Sequence, residues 1–85
     1  MSVFVKICGI TNEADARAAV DAGADAVGFM FYESSPRFVT PERVKQIVAT
    51  LPARVAKVGV FVNALPEAVR TAAKTCGLDT LHFHG

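Results

Sequence analysis

The sequence predicts a parallel α/β fold in the order βαβαβαβ, and three observations predict it. Short, nearly continuous apolar runs rich in β-branched residues alternate with longer alanine-rich segments, the pattern of a sheet covered on both faces. Each longer segment carries helix punctuation at its ends. A motif of glycine, small loop and aspartate recurs before two of the strands, Gly23-Ala24-Asp25-Ala26-Val27 and Gly77-Leu78-Asp79-Thr80-Leu81. With 85 residues, 52% of them hydrophobic and 20% charged, the chain has the size and composition of one small folded domain rather than a disordered segment.

Taken in order, residues 3–8 form a first strand that stops at Gly9. A helix over 12–22 follows, with Thr11 or Asn12 as its N-cap and Gly23 at the C′ position. The second strand, 26–32, ends at the turn signal Ser34-Ser35-Pro36. Thr40-Pro41-Glu42 reads as N-cap, first-turn proline and acidic first turn. Val44, Ile47, Val48 and Leu51 at helical spacing then predict a helix over 41–51, which Pro52 ends. Residues 55–62 are the most β-branched strand. Pro66-Glu67 opens a helix over 66–76 closed by Gly77, and 80–84 is the fourth strand. Repeated βα units of this kind build either an open doubly wound sheet or a (βα) barrel.

Composition excludes several function classes. The net charge is +1 with no basic run, so nothing steers the chain to nucleic acid or an anionic membrane. No apolar stretch reaches the ~18–20 residues that span a bilayer. Met1-Ser2-Val3-Phe4 lacks the basic region of a secretory signal, so the expected location is the cytoplasm. Cys8 and Cys76 lie far apart with no CxxC pairing, and they make neither a zinc knuckle nor a disulfide framework. The glycines match neither the dinucleotide nor the P-loop pattern.

Chemistry in parallel α/β folds sits at the carboxyl ends of the strands. Those ends carry Cys8-Gly9, Tyr32 with Arg37 in the following loop, Asn63, and His82 with His84. Period-two alternation puts Lys6 with Cys8 on one face, and His82 with His84 on one face. Cys8 reads either as an inert buried thiol or as a reactive one near Lys6. Arg37 reads either as a solvated loop residue or as a planar fork for a carboxylate or phosphate. His82 and His84 supply two possible metal ligands with no convincingly spaced third, which leaves them as substrate-facing or hydrogen-bonded histidines. Cys76, in the last turn of its helix, reads as packing. Gly28 and Gly59 lie in mid-strand, where a glycine usually marks a close approach by something else.

Lys6-Ile7-Cys8-Gly9-Ile10-Thr11, followed by Ala22-Gly23-Ala24-Asp25-Ala26-Val27-Gly28-Phe29, resembles the start of the phosphoribosylanthranilate isomerases of tryptophan biosynthesis. Phe31-Tyr32, Ser35-Pro36-Arg37, Val58-Gly59-Val60-Phe61-Val62-Asn63 and His84-Gly85 continue the match in order over essentially the whole chain. The resemblance implies the first half of a (βα)8 TIM barrel. It implies an Amadori rearrangement of N-(5′-phosphoribosyl)anthranilate without cofactor or metal. By resemblance Cys8 is the general base and Arg37 holds the anthranilate carboxylate; His82 and His84 are candidate substrate-binding residues from their place at the end of the fourth strand.

Two departures accompany it. The family commonly has glutamine at the position of His82. A (βα)8 barrel takes roughly 200–250 residues, and the family's general-acid aspartate and phosphate loops belong to later strands. Asp15, Asp21, Asp25 and Asp79 do not fall at strand carboxyl ends and cannot replace that aspartate. The expectation is a chain inactive alone that works with the remaining half of the barrel. The alternatives are a self-associating half-barrel without activity, or a module binding a small phosphorylated ligand.

Overall fold

The computed structural model describes residues 3–84; Met1, Ser2 and Gly85, which entered the amino-terminal and His84-Gly85 readings, lie outside the described residues. Four strands, β1 (Lys6–Cys8), β2 (Ala26–Met30), β3 (Ala56–Val62) and β4 (Thr80–His84), alternate with helices α1 (Glu13–Asp21), α2 (Pro41–Val48) and α3 (Pro66–Cys76). The sheet order is β1-β2-β3-β4 with every pair parallel. None of the described helices is long and apolar enough to cross a membrane.

Local chemistry explains the helix ends. The Asn12 side chain accepts from Asp15 N–H at 2.8 Å and its amide donates to the Asp15 carboxylate at 3.0 Å, a reciprocal cap that satisfies a free first-turn donor. The Thr40 hydroxyl accepts from Arg43 N–H at 3.3 Å ahead of Pro41. Gly77 ends α3 with φ 70°, a conformation other residues adopt only under strain.

Five elements are shorter than their patterns predict, α1 and β3 by no more than one residue at an end and the other three by more. The first strand covers only Lys6–Cys8 of the expected 3–8, because β2 begins at Ala26 and offers no ladder partner below Lys6; Val3 and Phe4 are exposed. The second strand ends at Met30 instead of 32, where Ser35 N–H turns back to the Tyr32 carbonyl. The second helix ends at Val48 instead of 51. Thr50 and Leu51 N–H groups bond three residues back, and the Thr50 hydroxyl takes the Ile47 carbonyl at 2.7 Å, the tight finish expected ahead of a proline.

The core lies between the sheet and its helices. Val27 and Phe29 from β2 are fully buried against Ala16 and Ala19 of α1 and Val44 and Ile47 of α2. Burying each such aliphatic or aromatic side chain contributes about 1.5–3 kcal/mol. A second cluster joins Phe61 to Val69 and Ala72 of α3, and Phe31, just past β2, stacks on Phe61 of β3 and that in turn on Phe83 of β4, at 5.0 and 6.0 Å.

The repeated aspartates do the same work twice. Asp25 N–H donates to the Val5 carbonyl while its carboxylate accepts from Val5 N–H at 2.8 Å. Asp79 N–H donates to the Lys57 carbonyl while its carboxylate accepts from Lys57 N–H at 2.9 Å. Each aspartate therefore grips the strand preceding its own at the amino-terminal end of the sheet, opposite the end where parallel α/β folds place their sites.

Candidate active site

Alternation along the paired strands defines the face opposite the helices. Lys6 and Cys8 of β1, Gly28 and Met30 of β2, Val58 and Val60 of β3, and His82 and His84 of β4 fall on it. At its carboxyl end the exposed, free thiol of Cys8 lies over Gly28, its partner in register. A Cβ built on Gly28 would sit 2.8 Å from the Cys8 sulfur, so the close approach that a mid-strand glycine implies is made by the thiol itself. The chain then turns sharply. Gly9 adopts φ 83°, and the N–H groups of Gly9 and Ile10 both donate to the Gly28 carbonyl, at 3.0 and 3.1 Å.

That turn brings Arg37 against Gly9, the residue that follows Cys8. A Cβ on Gly9 would meet the Arg37 Nη1 at 3.2 Å and its aliphatic stem at 3.4 Å, so the arginine lies across the glycine next to Cys8. The loop that delivers it is tied internally: Arg37 N–H donates to the Ser35 hydroxyl at 3.1 Å, and Phe38 N–H to the Ser35 carbonyl at 3.1 Å. Cys8 and Arg37 border one open groove of about 350 Å³ that runs from Gly9 and Ile10 along the β1 edge to Asp15, Ala18, Ala19 and Ala22 of the α1 segment. The one ion pair among the described residues joins Glu13 to Arg43, at 3.9 Å, which leaves the Arg37 fork uncommitted.

The histidines stand apart from that groove. His82 and His84 pair in register with Val60 and Val62, and their rings stack with centroids 4.7 Å apart. Lys6 is not free to accompany Cys8: its Nζ lies 3.3 Å from His82 Nδ1, bridging the first strand to the fourth. Sequence reasoning placed Lys6 on this face but carried no signal for that partner, which lies 76 residues away. Among the described residues no group of three His, Cys, Asp or Glu side chains comes together as a metal site requires. Cys76 is buried and donates to the Pro41 carbonyl at 3.3 Å; burial pushes its thiol pKa up, Glu42 adds to the rise and Lys45 opposes it.

Comparison with known proteins bears on the family and the fold. The family model described as N-(5′-phosphoribosyl)anthranilate (PRA) isomerase matches residues 5–85. Enzymes of that name from Dechloromonas aromatica and Acidithiobacillus ferrooxidans are 51% and 55% identical over 100% and 98% of this chain. The chain spans about 40% of the length of these relatives, 41% and 40% respectively. A crystal structure of phosphoribosyl anthranilate isomerase with reduced 1-(o-carboxyphenylamino)-1-deoxyribulose 5-phosphate superposes with TM-score 0.97 at 49% identity, covering 99% of this chain and 43% of that one. The Thermotoga maritima enzyme superposes equally well, with this chain covering 41% of it. The four parallel strands thus occupy part of a (βα)8 barrel, and the chain belongs to the N-(5′-phosphoribosyl)anthranilate isomerase family.

Proposed function

We propose that this chain forms the amino-terminal half of a phosphoribosylanthranilate isomerase barrel, in which Cys8 is the general base and Arg37 the carboxylate fork. The observation that carries the reading is that the Arg37 side chain lies against Gly9, the residue after Cys8, and borders the same groove as Cys8. An acid protonates the ribose ring oxygen of N-(5′-phosphoribosyl)anthranilate, and the C1′–O bond opens to a Schiff base. The Cys8 thiolate then takes the C2′ proton, and the resulting enaminol ketonises to the 1-deoxyribulose 5-phosphate product. Arg37 offers two parallel N–H donors to the anthranilate carboxylate and so fixes the ring end of the substrate. The ligand in the related crystal structure carries both a carboxyphenyl group and a 5-phosphate, consistent with a phosphorylated small-molecule substrate here. His82 and His84 line the substrate side of β4, and no nucleic acid or membrane enters the reaction.

Among the described residues no aspartate stands free at a strand's carboxyl end: Asp15 is engaged by Asn12, Asp21 closes α1, and Asp25 and Asp79 grip the opposite end of the sheet. The general acid and the phosphate loops are therefore assigned to the remaining strands of the barrel. The 85-residue chain alone does not turn over in this reading, and the assembled enzyme is a cytoplasmic one serving tryptophan biosynthesis. The test is turnover of N-(5′-phosphoribosyl)anthranilate by the chain combined with a polypeptide carrying the other strands. Cys8→Ala should lower kcat by about 10²- to 10⁴-fold, the usual worth of a positioned base. Activity within threefold of wild type rejects Cys8 as the base. A second reading draws on the wholly exposed β4 edge: two copies supply eight strands by pairing β4 with β1. Light scattering separates the two, because that reading requires a dimer and is refuted by a monodisperse monomer.

A further inference from the structure

We infer that Lys6 is a positioning residue that orients the neutral form of the His82 imidazole with its proton on Nε2, so that β4 presents a hydrogen-bond donor at that ring nitrogen. Lys6 and His82 sit on the two edge strands of a four-stranded sheet, yet Nζ reaches to 3.3 Å from Nδ1. That reach needs a sheet coiled toward the face they share, and it needs little bulk under the lysine stem. Lys6 stands in register with Ala26 and Ala56, and the next row on that face is Cys8, Gly28 and Val58. The small side chains in the row of Lys6 itself meet the second condition.

The chemistry of the pair fixes the proton. A lysine ammonium has three donors and no acceptor, so the nitrogen it faces must be the unprotonated one. In a neutral imidazole the other nitrogen then carries the hydrogen. The stacked His84 ring restrains the plane of His82 from the side. Among the described residues no carboxylate pairs with Lys6, so nothing competes with the imidazole for its ammonium. The titratable groups sharing this face are Cys8 and Lys6 from β1 and His82 and His84 from β4. The relevance to substrate rests on the isomerase reading, but the contact and the tautomer do not.

The experiment is nitrogen NMR of the 85-residue chain labelled at its histidines, at a pH well above the ordinary imidazole range. His82 should show an unprotonated, acceptor-type Nδ1 and a protonated Nε2. Lys6→Met should weaken that preference by about threefold to tenfold, the low end for a solvent-exposed bond to a charged donor. Lys6→Arg, which also only donates, should retain it, and His84 should be unmoved by either change. A proton on His82 Nδ1 in the wild-type chain, or a pattern untouched by Lys6→Met, overturns the assignment. Should Lys6→Met fail to fold, a nuclear Overhauser contact between the Lys6 ε-methylene and the His82 ring in wild type decides, and its absence refutes the contact. Failure here leaves the Cys8→Ala turnover result standing, so the two readings are tested separately.

Discussion

Gly28→Ala should move the Cys8 thiol more than it weakens the fold. The added methyl would lie 2.8 Å from the Cys8 sulfur, 3.3 Å from its Cα and 3.4 Å from its Cβ. Comfortable contact between such atoms begins near ~3.5 Å. Rotation about χ1 relieves the first clash, because the groove beyond Cys8 is open. It does nothing for the other two, so β1 must also yield by a few tenths of an ångström. Overpacking of this kind costs about 1–3 kcal/mol, and the loss of unfolded-state freedom at a former glycine returns about 0.4–1 kcal/mol. The expected net is about 0.5–2 kcal/mol, read as a lower urea midpoint at unchanged slope. The alkylation rate of Cys8 should change severalfold, with buried Cys76 silent in the folded chain. In the reconstituted enzyme a thiol displaced by about 1 Å should cost on the order of 10²-fold in turnover. Gly59→Ala is the control. Its methyl would meet Leu78 at 2.6 Å and Phe61 at 2.9 Å, so it should destabilise by about 1–3 kcal/mol without changing Cys8 reactivity. A Gly28→Ala chain with wild-type alkylation kinetics, or a Gly59→Ala chain whose Cys8 reactivity changes instead, would refute the reasoning.

Further outcomes follow from the same geometry. Arg37→Lys replaces a planar fork by a point charge and should raise KM by about tenfold in the reconstituted enzyme with less effect on kcat; an unchanged KM would remove Arg37 from the carboxylate. Asp79→Ala should cost more than Asp25→Ala, about 1–2 against under 1 kcal/mol, since the Lys57 amide it serves is part-buried and the Val5 amide is exposed; equal urea midpoints would contradict this. Cys76 binds its proton more tightly folded than unfolded, so its contribution to stability is complete below the ordinary thiol value of 9.0 and fades as pH rises through it. Wild type should therefore lose stability relative to Cys76→Ala between neutral pH and about pH 10, and a pH-independent difference between the two would show that the thiol does not ionise differently on folding.

The alternation of strands and helices was legible because each depends on neighbours a few residues away. Asn12 and Thr40 announce helix starts and Gly77 a helix end through hydrogen bonds and dihedral angles made locally. The two aspartates were visible as a repeat, but their grip on Val5 and Lys57 spans 20 and 22 residues and has no periodic signature. Cys8 and Arg37 were named from their positions at strand ends and from family resemblance. The packing of Arg37 against Gly9, beside Cys8, depends on a left-handed turn that a lone glycine does not by itself disclose.

The sequence by itself determined the fold class, the face that carries Lys6, Cys8, His82 and His84, and the presence of something close above Gly28. Periodicity and glycine's missing side chain encode these directly. Only the tertiary structure decided that the close neighbour is the Cys8 sulfur, that the first strand shortens to Lys6–Cys8, and that Lys6 bonds His82 rather than accompanying the thiol. These depend on strand register and on the coiling of the sheet, which bring together residues far apart in the chain, and no local pattern records either.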